Sequence, residues 1–310
     1  MPVVRDRTGG RCLHGGALVV TVTVVTDTTI PSVAMRDGNE IPQLGFGVWQ
    51  VPDDQAQVAT EEALRVGYRL VDTAAVYGNE SGVGRAIAAS GVPREDLFIT
   101  TKLWNVDQGY DSTLKAFDVS MEKLGLETLD LYLIHWACPR ADRYLDTWKA
   151  FATLAESGRV RSIGVSNFHR TELERIIDET GVVPVLNQIE VHPYLQQAEM
   201  RELNASHGTL TEAWSPLGSG KGLLDDPVLT QIAERHGATA AQVVLAWHLQ
   251  IGNVVIPKSV TPSRIAENFN ATSVTLSDAD LEQIAALDNG TRYGGDPSTA
   301  HFGLPEFADT

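Results

Sequence analysis

The sequence is poor in the features that mark several large classes of protein. Its two cysteines, Cys12 and Cys138, cannot form a disulfide framework, so we expect a reducing, cytoplasmic environment. Lysine and arginine are outnumbered by aspartate and glutamate, 24 to 40, and the net charge of −16 repels nucleic acid and anionic membrane surfaces. No stretch approaches the roughly 18 apolar residues that a membrane span requires. We therefore expect neither nucleic acid nor a membrane as a partner.

The N-terminal segment differs in composition from the rest of the chain. Three arginines in the first eleven residues are followed by the apolar, threonine-rich run GALVVTVTVVT at 16–26. A signal peptide has this outline, but the run is short and no clear A-x-A cleavage site follows it. We expect residues 1–28 to be an extension, either a disordered tail or the product of a start codon placed too far upstream. Residues 29–310 are expected to form a single domain.

From Val33 onward, apolar runs alternate with longer helical patterns. The eight runs lie at 43–48, 69–72, 97–102, 129–135, 161–165, 183–188, 209–214 and 253–257. This alternation predicts an α/β fold, a (β/α)8 TIM barrel, whose usual length of about 250 residues fits 33–287. A turn at Asp37-Gly38-Asn39 predicts a short N-terminal β-hairpin before it. A doubly wound sheet is the rival fold, but Trp49-Gln50-Val51-Pro52 stands where that fold would normally carry G-x-G-x-x-G.

Polar and aromatic residues concentrate where these runs end. In a barrel the C-terminal strand ends share one face, which carries the functional residues. Each residue alone has an ordinary structural explanation, such as a turn cap for an aspartate or core packing for a tryptophan. Together they predict an active site, formed by Trp49, Asp72, Tyr77, Lys102, Trp104, His135, Trp136, Ser166, Asn167, Gln188, Trp214, Ser215, Lys258 and Ser259.

Asp72, Tyr77, Lys102 and His135, the tetrad, have the chemistry of a proton donor beside a polarised carbonyl group. A free phenol has a pKa of about 10, and a neighbouring ammonium stabilises its phenolate form. We expect Lys102 to lower the pKa of Tyr77 in this way, with Asp72 keeping the buried lysine charged. His135 would orient the substrate oxygen. This set supplies half of a carbonyl reduction.

The other half is a hydride, which no side chain provides, so a nicotinamide cofactor is implied. Ser166, Asn167 and Gln188 offer hydroxyl and amide groups for a carboxamide, and Trp214 offers a flat face for stacking. Lys258, Ser259 and Arg264 lie at the start of a predicted helix, where backbone amides also favour an anion. A plain helix start with solvated cations is the alternative interpretation of that cluster. We expect a phosphate, and therefore NADPH in preference to NADH.

The residues resemble the aldo-keto reductase family, and within it the bacterial 2,5-diketo-D-gluconic acid reductase group. The resemblance covers Val33 to Asn289 and rests on GYRLVDTAAVYGNESGVGRAI, ITTKLWN, LDLYLIHW, RSIGVSNF, LNQIEVHPYLQQ, EAWSPLGSGKGLL and IPKSVTPSRIAENF. It implies an NADPH-dependent barrel without a Rossmann domain and with Asp72, Tyr77, Lys102 and His135 as catalytic residues. The sequence departs from the family pattern at the segment Ala137-Cys138-Pro139, where a proline-rich loop is commoner, and in the tail 288–310, which carries no clear motif.

The resemblance also implies which residues bind the cofactor and the substrate. The substrate would contact Trp49, Trp104, His135 and Trp136, and no metal is expected. The protein is expected to be a monomer that acts on a small aldehyde, an α-keto ester or a keto-sugar acid. The implied cofactor residues are Ser166, Asn167, Gln188, Trp214, Ser215, Leu217, Lys258, Ser259, Val260, Thr261, Arg264, Glu267 and Asn268.

Two functions from other classes remain open at this point. A Schiff-base aldolase is also a barrel, and Lys102 could be its nucleophile. A non-catalytic partner protein that senses NADPH could share the fold, although an intact tetrad disfavours that role. A metal-dependent hydrolase is disfavoured further, because no His-x-His pair closes a barrel strand.

Overall fold

A computed structural model describes residues 30–307, so the expectation for the extension at 1–28 lies outside the described residues. Within this range the chain forms ten strands and ten α-helices. The strands are β1 Ser32–Ala34, β2 Glu40–Pro42, β3 Phe46–Gly47, β4 Leu70–Asp72, β5 Phe98–Leu103, β6 Leu129–Ile134, β7 Val160–Ser166, β8 Leu186–Glu190, β9 Leu210–Trp214 and β10 Val254–Val255. The helices are α1 Asp53–Val66, α2 Glu80–Ala89, α3 Tyr110–Leu124, α4 Tyr144–Glu156, α5 Arg170–Thr180, α6 Ala198–Ser206, α7 Pro227–His236, α8 Ala240–Gln250, α9 Pro262–Phe269 and α10 Asp278–Ala285.

The strands β3 to β10 form one parallel sheet in chain order. The sheet closes on itself, because Leu44, just before β3, forms a parallel bridge with Val255 in β10. Backbone hydrogen bonds join this seam, from Gly45 N to Val255 O at 2.8 Å and from Val255 N to Gln43 O at 2.9 Å. The predicted (β/α)8 TIM barrel is therefore confirmed, and each strand ends on the face where the polar residues of the sequence lie.

The interior of the barrel is apolar at the N-terminal end of the strands and polar at the other end. Side chains alternate along a strand, so Leu70 and Asp72 both face inward while Val71 packs against the helices. The predicted hairpin, β1 and β2, is confirmed and covers the apolar end, where Met35 and Ile41 join the inner cluster. Among the described residues, the interior of the barrel is therefore open only at its polar end.

Three of the ten described helices start where a short polar side chain satisfies one of the first backbone amides. The Asp226 carboxylate accepts a hydrogen bond from Val228 N at the start of α7, and Thr239 forms a capping box with Gln242 at the start of α8. Ser277 forms the same motif at α10. Among residues 30–307, no helix is both long and apolar enough to cross a membrane.

Two strand starts, those of β3 and β8, lie three residues after their predicted positions. The apolar run 183–188 predicts a strand from Val183, but β8 begins at Leu186. Pro184 lies between them and has no N–H to donate to a sheet ladder, so the strand starts beyond it. The shift carries the strand two residues further, to Glu190, which becomes important at the site.

Candidate active site

Tyr77 is held at the open end of the barrel by a short, tightly bonded loop after β4. A one-turn 3-10 helix, Ala75–Tyr77, ends at Gly78, whose φ of 68° is a conformation that glycine adopts without strain. The buried Asn79 amide then donates hydrogen bonds of 2.9 Å to the carbonyl oxygens of Val48 and Val51. These bonds fix the loop to the segment after β3, so the phenol has a defined position.

The Lys102 ammonium and the Asp72 carboxylate form a buried ion pair. Lys102 Nζ donates to Asp72 Oδ1 at 2.5 Å and to the carbonyl oxygen of Thr73 at 2.9 Å. The Lys102 side chain is fully buried and Asp72 is 3% exposed. An ammonium has three N–H groups, so one remains for a group above it in the pocket.

Tyr77 and His135 lie around that ammonium. Lys102 Nζ is 5.1 Å from the centre of the Tyr77 ring, and the Tyr77 and His135 rings meet edge to face at 5.6 Å. Trp104 contacts the same imidazole edge to face at 5.4 Å. All four residues of the predicted tetrad therefore meet at the open end of the barrel.

The pKa of Tyr77 is raised, which is opposite to the expected net direction. Burial is the largest cause and raises the pKa, whereas the Lys102 charge lowers it, as the sequence predicts. Asp72 and Glu212 add to the increase. The lysine therefore acts in the predicted sense, but in the protein alone burial outweighs it.

Lys102 itself stays charged, because its pKa is raised. Burial alone would lower that pKa, but the charges of Asp72, Tyr77 and Glu212 and the hydrogen bond to Asp72 together outweigh it. His135 is neutral, since burial and the Lys102 charge hold its pKa well below the ordinary value. A neutral imidazole can donate one hydrogen bond, and its Nδ1 has no partner among the described residues.

The residues predicted to face a carboxamide form one hydrogen-bonded network beside the tetrad. Asn167, which adopts a φ of 58°, donates 3.0 Å hydrogen bonds to the carbonyl oxygen of His135 and to Ser166 Oγ. Trp214 Nε1 donates to Asn167 Oδ1 at 2.9 Å, and Ser166 Oγ donates to the carbonyl oxygen of Gln188 at 2.8 Å. These contacts orient the Trp214 ring and hold Ser166, Asn167 and Gln188 in defined positions beside the tetrad.

A second buried carboxyl group, Glu212 in β9, lies below this network and was not predicted. Gln188 Nε2 donates to Asp72 Oδ2 at 2.8 Å and to Glu212 Oε2 at 2.7 Å. The signal was in the sequence, because Glu212 precedes Trp214 by two residues and so faces the same side of the strand. An acid on the inward face of a barrel strand is rarely without a role.

The predicted phosphate cluster lies apart from the tetrad, after β10 and at the start of α9. Lys258 and Arg264 are exposed, and within residues 30–307 neither forms an ion pair with a carboxylate. Ser259 is buried and its Oγ accepts a 3.1 Å hydrogen bond from Thr261 N. The other predicted residues of this region are Val260, which is 46% exposed, and the α9 residues Glu267 and Asn268.

Some predicted cofactor residues have other contacts. The Glu267 carboxylate accepts a 2.8 Å hydrogen bond from Thr239 at the start of α8, which ties α9 to α8. Ser215 adopts a φ of 49° and its hydroxyl accepts from Ser219 at 2.9 Å. Leu217 packs partly buried against the outer core. These three positions have structural roles whether or not a cofactor binds.

The three predicted substrate tryptophans are not brought together to the same degree. Trp104 lies against His135, and Trp136 meets Phe302 of the C-terminal tail edge to face at 5.1 Å. Trp49 is 48% exposed and, within the described part of the chain, has no ring contact with the other two. Trp104 and Trp136 therefore lie on one side of the tetrad, packed in the same apolar cluster.

The C-terminal tail, in which no motif was recognised, completes the pocket. The fully buried Glu190 carboxylate accepts hydrogen bonds from Tyr293 N at 2.6 Å and Gly294 N at 3.0 Å. A Cβ atom at Gly294 would lie 2.2 Å from the Trp214 ring, so only glycine allows this approach. Residues between Gly295 and Phe307 in the rest of the tail line an open surface depression of about 570 Å³.

Comparison with known proteins places these features in a family. Residues 43–289 match the sequence model of the "Aldo/keto reductase family". An aldo-keto reductase of Mycolicibacterium smegmatis is 57% identical over 272 residues, which are 88% of this chain and 98% of that protein. The methylglyoxal reductase DkgA of Salmonella typhimurium is 52% identical over 266 residues, 86% of this chain and 96% of that protein.

A solved structure agrees with the fold. The structure of a Gox0644 variant in complex with NADPH superimposes on this chain with a TM-score of 0.85 and is 49% identical to it in sequence. The match covers 88% of this chain and 100% of that one. The resemblance that the motifs predict, to the family and to its diketogluconate reductase-like group, is confirmed.

Proposed function

This chain belongs to the aldo/keto reductase family, and we propose that it reduces the carbonyl group of a small aldehyde, an α-keto ester or a keto-sugar acid with NADPH. Carbonyl reduction is the activity of the family, whereas the substrate range is our inference. The relatives that are named methylglyoxal reductases support a small α-dicarbonyl compound as the first substrate to examine. The observation that carries the proposal is the buried Lys102 ammonium, paired with Asp72 and facing Tyr77 and His135.

In this proposal Tyr77 is the general acid. Its phenol lies beside a permanently charged ammonium, so negative charge that develops on the phenol oxygen as the proton leaves is stabilised where it forms. Asp72 holds Lys102 in place and keeps it protonated in a buried site. The raised pKa of Tyr77 keeps the phenol protonated, and therefore able to donate, throughout the neutral range.

His135 positions the carbonyl oxygen. Because its pKa is lowered, the ring is neutral and donates a single hydrogen bond, which aligns the oxygen near the Tyr77 hydroxyl without adding a positive charge. Trp104 restricts the imidazole from one side and Tyr77 from the other. Both aromatic rings also exclude water from the reacting oxygen, which strengthens the hydrogen bonds there.

The residues present fit a nicotinamide dinucleotide phosphate. The donor set agrees with its two ends. At one end Trp214 offers a ring face and the Ser166–Asn167–Gln188 network offers hydroxyl and amide groups. At the other end Lys258 and Arg264 offer cations that form no ion pair with any carboxylate in the described part of the chain. NADPH, when bound, supplies the hydride that the side chains cannot. Ser259, Thr261 and Asn268 are proposed to complete the phosphate end.

The aldolase alternative is weakened by the state of Lys102. A Schiff-base lysine needs a neutral amine as nucleophile, but two N–H groups of Lys102 are bound and its pKa is raised rather than lowered. A reducing agent such as borohydride should therefore trap no covalent adduct with a carbonyl compound. A mass increase on Lys102 after such treatment would favour the aldolase.

The proposal is tested by adding a panel of aldehydes, α-keto esters and keto-sugar acids to the full chain and recording the loss of NADPH absorbance. We expect turnover of at least one class. NADPH binding without turnover of any compound would instead support a cofactor-sensing partner protein. Tryptophan fluorescence measures the binding independently of the chemistry.

We also propose that residues 29–310 act as one domain, in a monomer located in the cytoplasm. The continuous barrel and the family match over 43–289 support the single domain. Light scattering of the purified protein should give a mass close to the 33.6 kDa of one chain. A mass near twice that value would contradict the monomer.

A further inference from the structure

Among the described residues, Glu212 is the carboxyl group at the inner end of the site that has no cation of its own. It occupies the middle of β9 and is fully buried. Its single hydrogen bond in the described structure comes from Gln188 Nε2, and its Oε1 atom has no partner. Asp72, by contrast, receives Lys102 Nζ on Oδ1 and Gln188 Nε2 on Oδ2.

The charges of this buried layer do not balance if both acids are ionised. Asp72 from β4, Tyr77 from the loop after β4 and Lys102 from β5 are the titratable groups that act on Glu212. The other neighbouring strands contribute the neutral Gln188 from β8 and the apolar Val254 from β10. Two carboxylates and one ammonium would leave one uncompensated negative charge among buried side chains, which is strongly unfavourable.

The excess charge is removed by a proton, and the geometry assigns that proton to Glu212. Burial raises the pKa of Asp72 as well, but the direct Lys102 contact and the Gln188 hydrogen bond oppose that rise, whereas Glu212 accepts only an amide N–H among the described residues. Burial, followed by the nearby Asp72 charge, raises the pKa of Glu212 to about 8. At neutral pH the two acids therefore share one proton, which Glu212 carries.

We propose that Glu212 is a positioning residue of the reductase site, which acts through Gln188 to fix the amide beside Asp72 and through its own charge to set the pH at which Tyr77 stops donating. The inference rests on the proposed function of Tyr77 as the acid. Glu212 touches neither the proposed substrate position nor the Tyr77 hydroxyl, so its influence is indirect.

The first effect is geometric. The Gln188 amide has two N–H groups, and the two carboxyl groups engage one each. An ionised Asp72 only accepts, so the NH2 end of Gln188 must face inward and its oxygen must face away from the acids. Asp72 thereby sets which end of the amide faces inward, and Glu212, by engaging the second N–H, holds the Gln188 amide in that orientation.

The second effect is electrostatic. When Glu212 loses its proton, the new negative charge disfavours the Tyr77 phenolate and raises the pKa of Tyr77 further. Tyr77 consequently remains protonated to higher pH in the wild type than it would beside a neutral residue. Reduction, which needs the protonated phenol, should extend correspondingly further into the alkaline range.

Two substitutions separate these effects. Glu212→Gln keeps an acceptor for Gln188 but cannot ionise, and Glu212→Leu removes both functions. The control is Asp130→Asn, which also replaces a buried strand acid by an amide but lies outside the site, paired with Arg94 and Arg161. The folding of each variant is checked by circular dichroism.

The first measurement is infrared absorption of the holoprotein and the cofactor-free protein as a function of pH, which needs no activity. In the wild type we expect a protonated-carboxyl band at pH 7 that disappears as the pH rises, with its midpoint near pH 8. The band should be missing in Glu212→Gln and should persist in Asp130→Asn. The wild-type titration alone remains informative if a variant does not fold. Absence of any such band in the wild type would overturn the proposal.

The second measurement is the pH profile of kcat/KM for carbonyl reduction. The alkaline limb of Glu212→Gln should move to lower pH by about one unit, roughly a tenfold loss at a fixed pH on that limb, while that of Asp130→Asn should not move. Glu212→Leu should weaken NADPH binding several-fold more than Glu212→Gln. Superimposed limbs in wild type and Glu212→Gln would refute the electrostatic role. Lack of turnover in the wild type would refute the proposed function instead, because the infrared titration would still report on Glu212.

Discussion

Removing Arg264 should reduce the preference for NADPH over NADH, because this residue lies in the first turn of α9 with no carboxylate partner in the described structure. Lys258 lies six residues earlier, after β10, and both side chains are exposed. The chain carries a net charge of −16, which repels an additional phosphate at long range. Any preference for the phosphorylated cofactor must therefore come from local contacts such as these.

The size of the effect follows from the exposure of the two cations. A charge-assisted hydrogen bond contributes about 1.5 to 3 kcal/mol, and exposure to water places Lys258 and Arg264 at the low end of that range. We expect NADPH to bind roughly tenfold or more tightly than NADH in the wild type, and Arg264→Ala to remove about half of that difference in free energy. The difference should shrink as salt rises, because exposed charges are screened over about 8 Å at physiological ionic strength.

The assay is titration of both cofactors by tryptophan fluorescence at low and high salt. Arg159→Ala is the matched control, since Arg159 precedes β7 at the opposite end of the barrel and its loss changes the net charge equally. Its affinities for both cofactors should stay close to the wild-type values, apart from a small equal shift. Equal affinities for NADPH and NADH in the wild type, or an unchanged difference in Arg264→Ala, would show that the cluster is only a solvated helix start.

Three further predictions concern the residues that hold the site together. Asp72→Asn should destabilise the fold by about 3 to 5 kcal/mol, because it leaves the buried Lys102 without its carboxylate. Asp146→Asn, which breaks an exposed pair with Lys149, should cost less than about 1 kcal/mol. Urea unfolding at pH 7 compares the two variants, and equal losses of stability would contradict the reasoning. Gly294→Ala should displace the tail from Trp214, shift the tryptophan emission and weaken substrate binding, and an unchanged emission spectrum would show that the tail is not held there. Burial raises the pKa of Asp280, but hydrogen bonds from Arg235, Ser277 and His236 outweigh it, so the net pKa is lowered. The stability that Asp280 contributes should therefore be complete above the ordinary carboxyl pKa of about 4 and decline progressively as the pH falls below it. Asp280→Asn should destabilise the fold by about 1 to 3 kcal/mol at pH 7 and by a smaller amount at pH 2.5, and a penalty independent of pH would refute this.

The order of the elements and the tetrad could be predicted because each depends on local patterns. Alternating apolar runs and helical periods determine the barrel, and a parallel barrel places every C-terminal strand end on one face. Asp72 and Lys102 end adjacent strands, so their contact follows from topology alone. The exact ends of strands follow less directly from the apolar pattern. At Pro184 a single missing N–H displaces the start of β8.

The parts that could not be predicted depend on distant contacts or on the balance of opposing effects. Glu190 binds the backbone of residues 293 and 294, about a hundred positions later, and backbone amides leave no trace in the sequence. The net direction of the Tyr77 pKa depends on burial against the Lys102 charge, and the extent of burial is known only from the packed structure. Strand alternation predicts that Glu212 faces inward, but it does not predict that Glu212 lacks a cation beside it in the described structure.

The most direct test of the central claim compares Tyr77→Phe with Tyr110→Phe in NADPH-dependent carbonyl reduction. Tyr110 is an exposed tyrosine whose hydroxyl bonds only Thr153 among the described contacts, so its substitution controls for the loss of a phenol. If Tyr77 is the proton donor, Tyr77→Phe should lower kcat by roughly 10² to 10⁴-fold with NADPH affinity nearly unchanged, and Tyr110→Phe should retain wild-type rates. Wild-type kcat in Tyr77→Phe would contradict the account and direct attention to His135 as the acid.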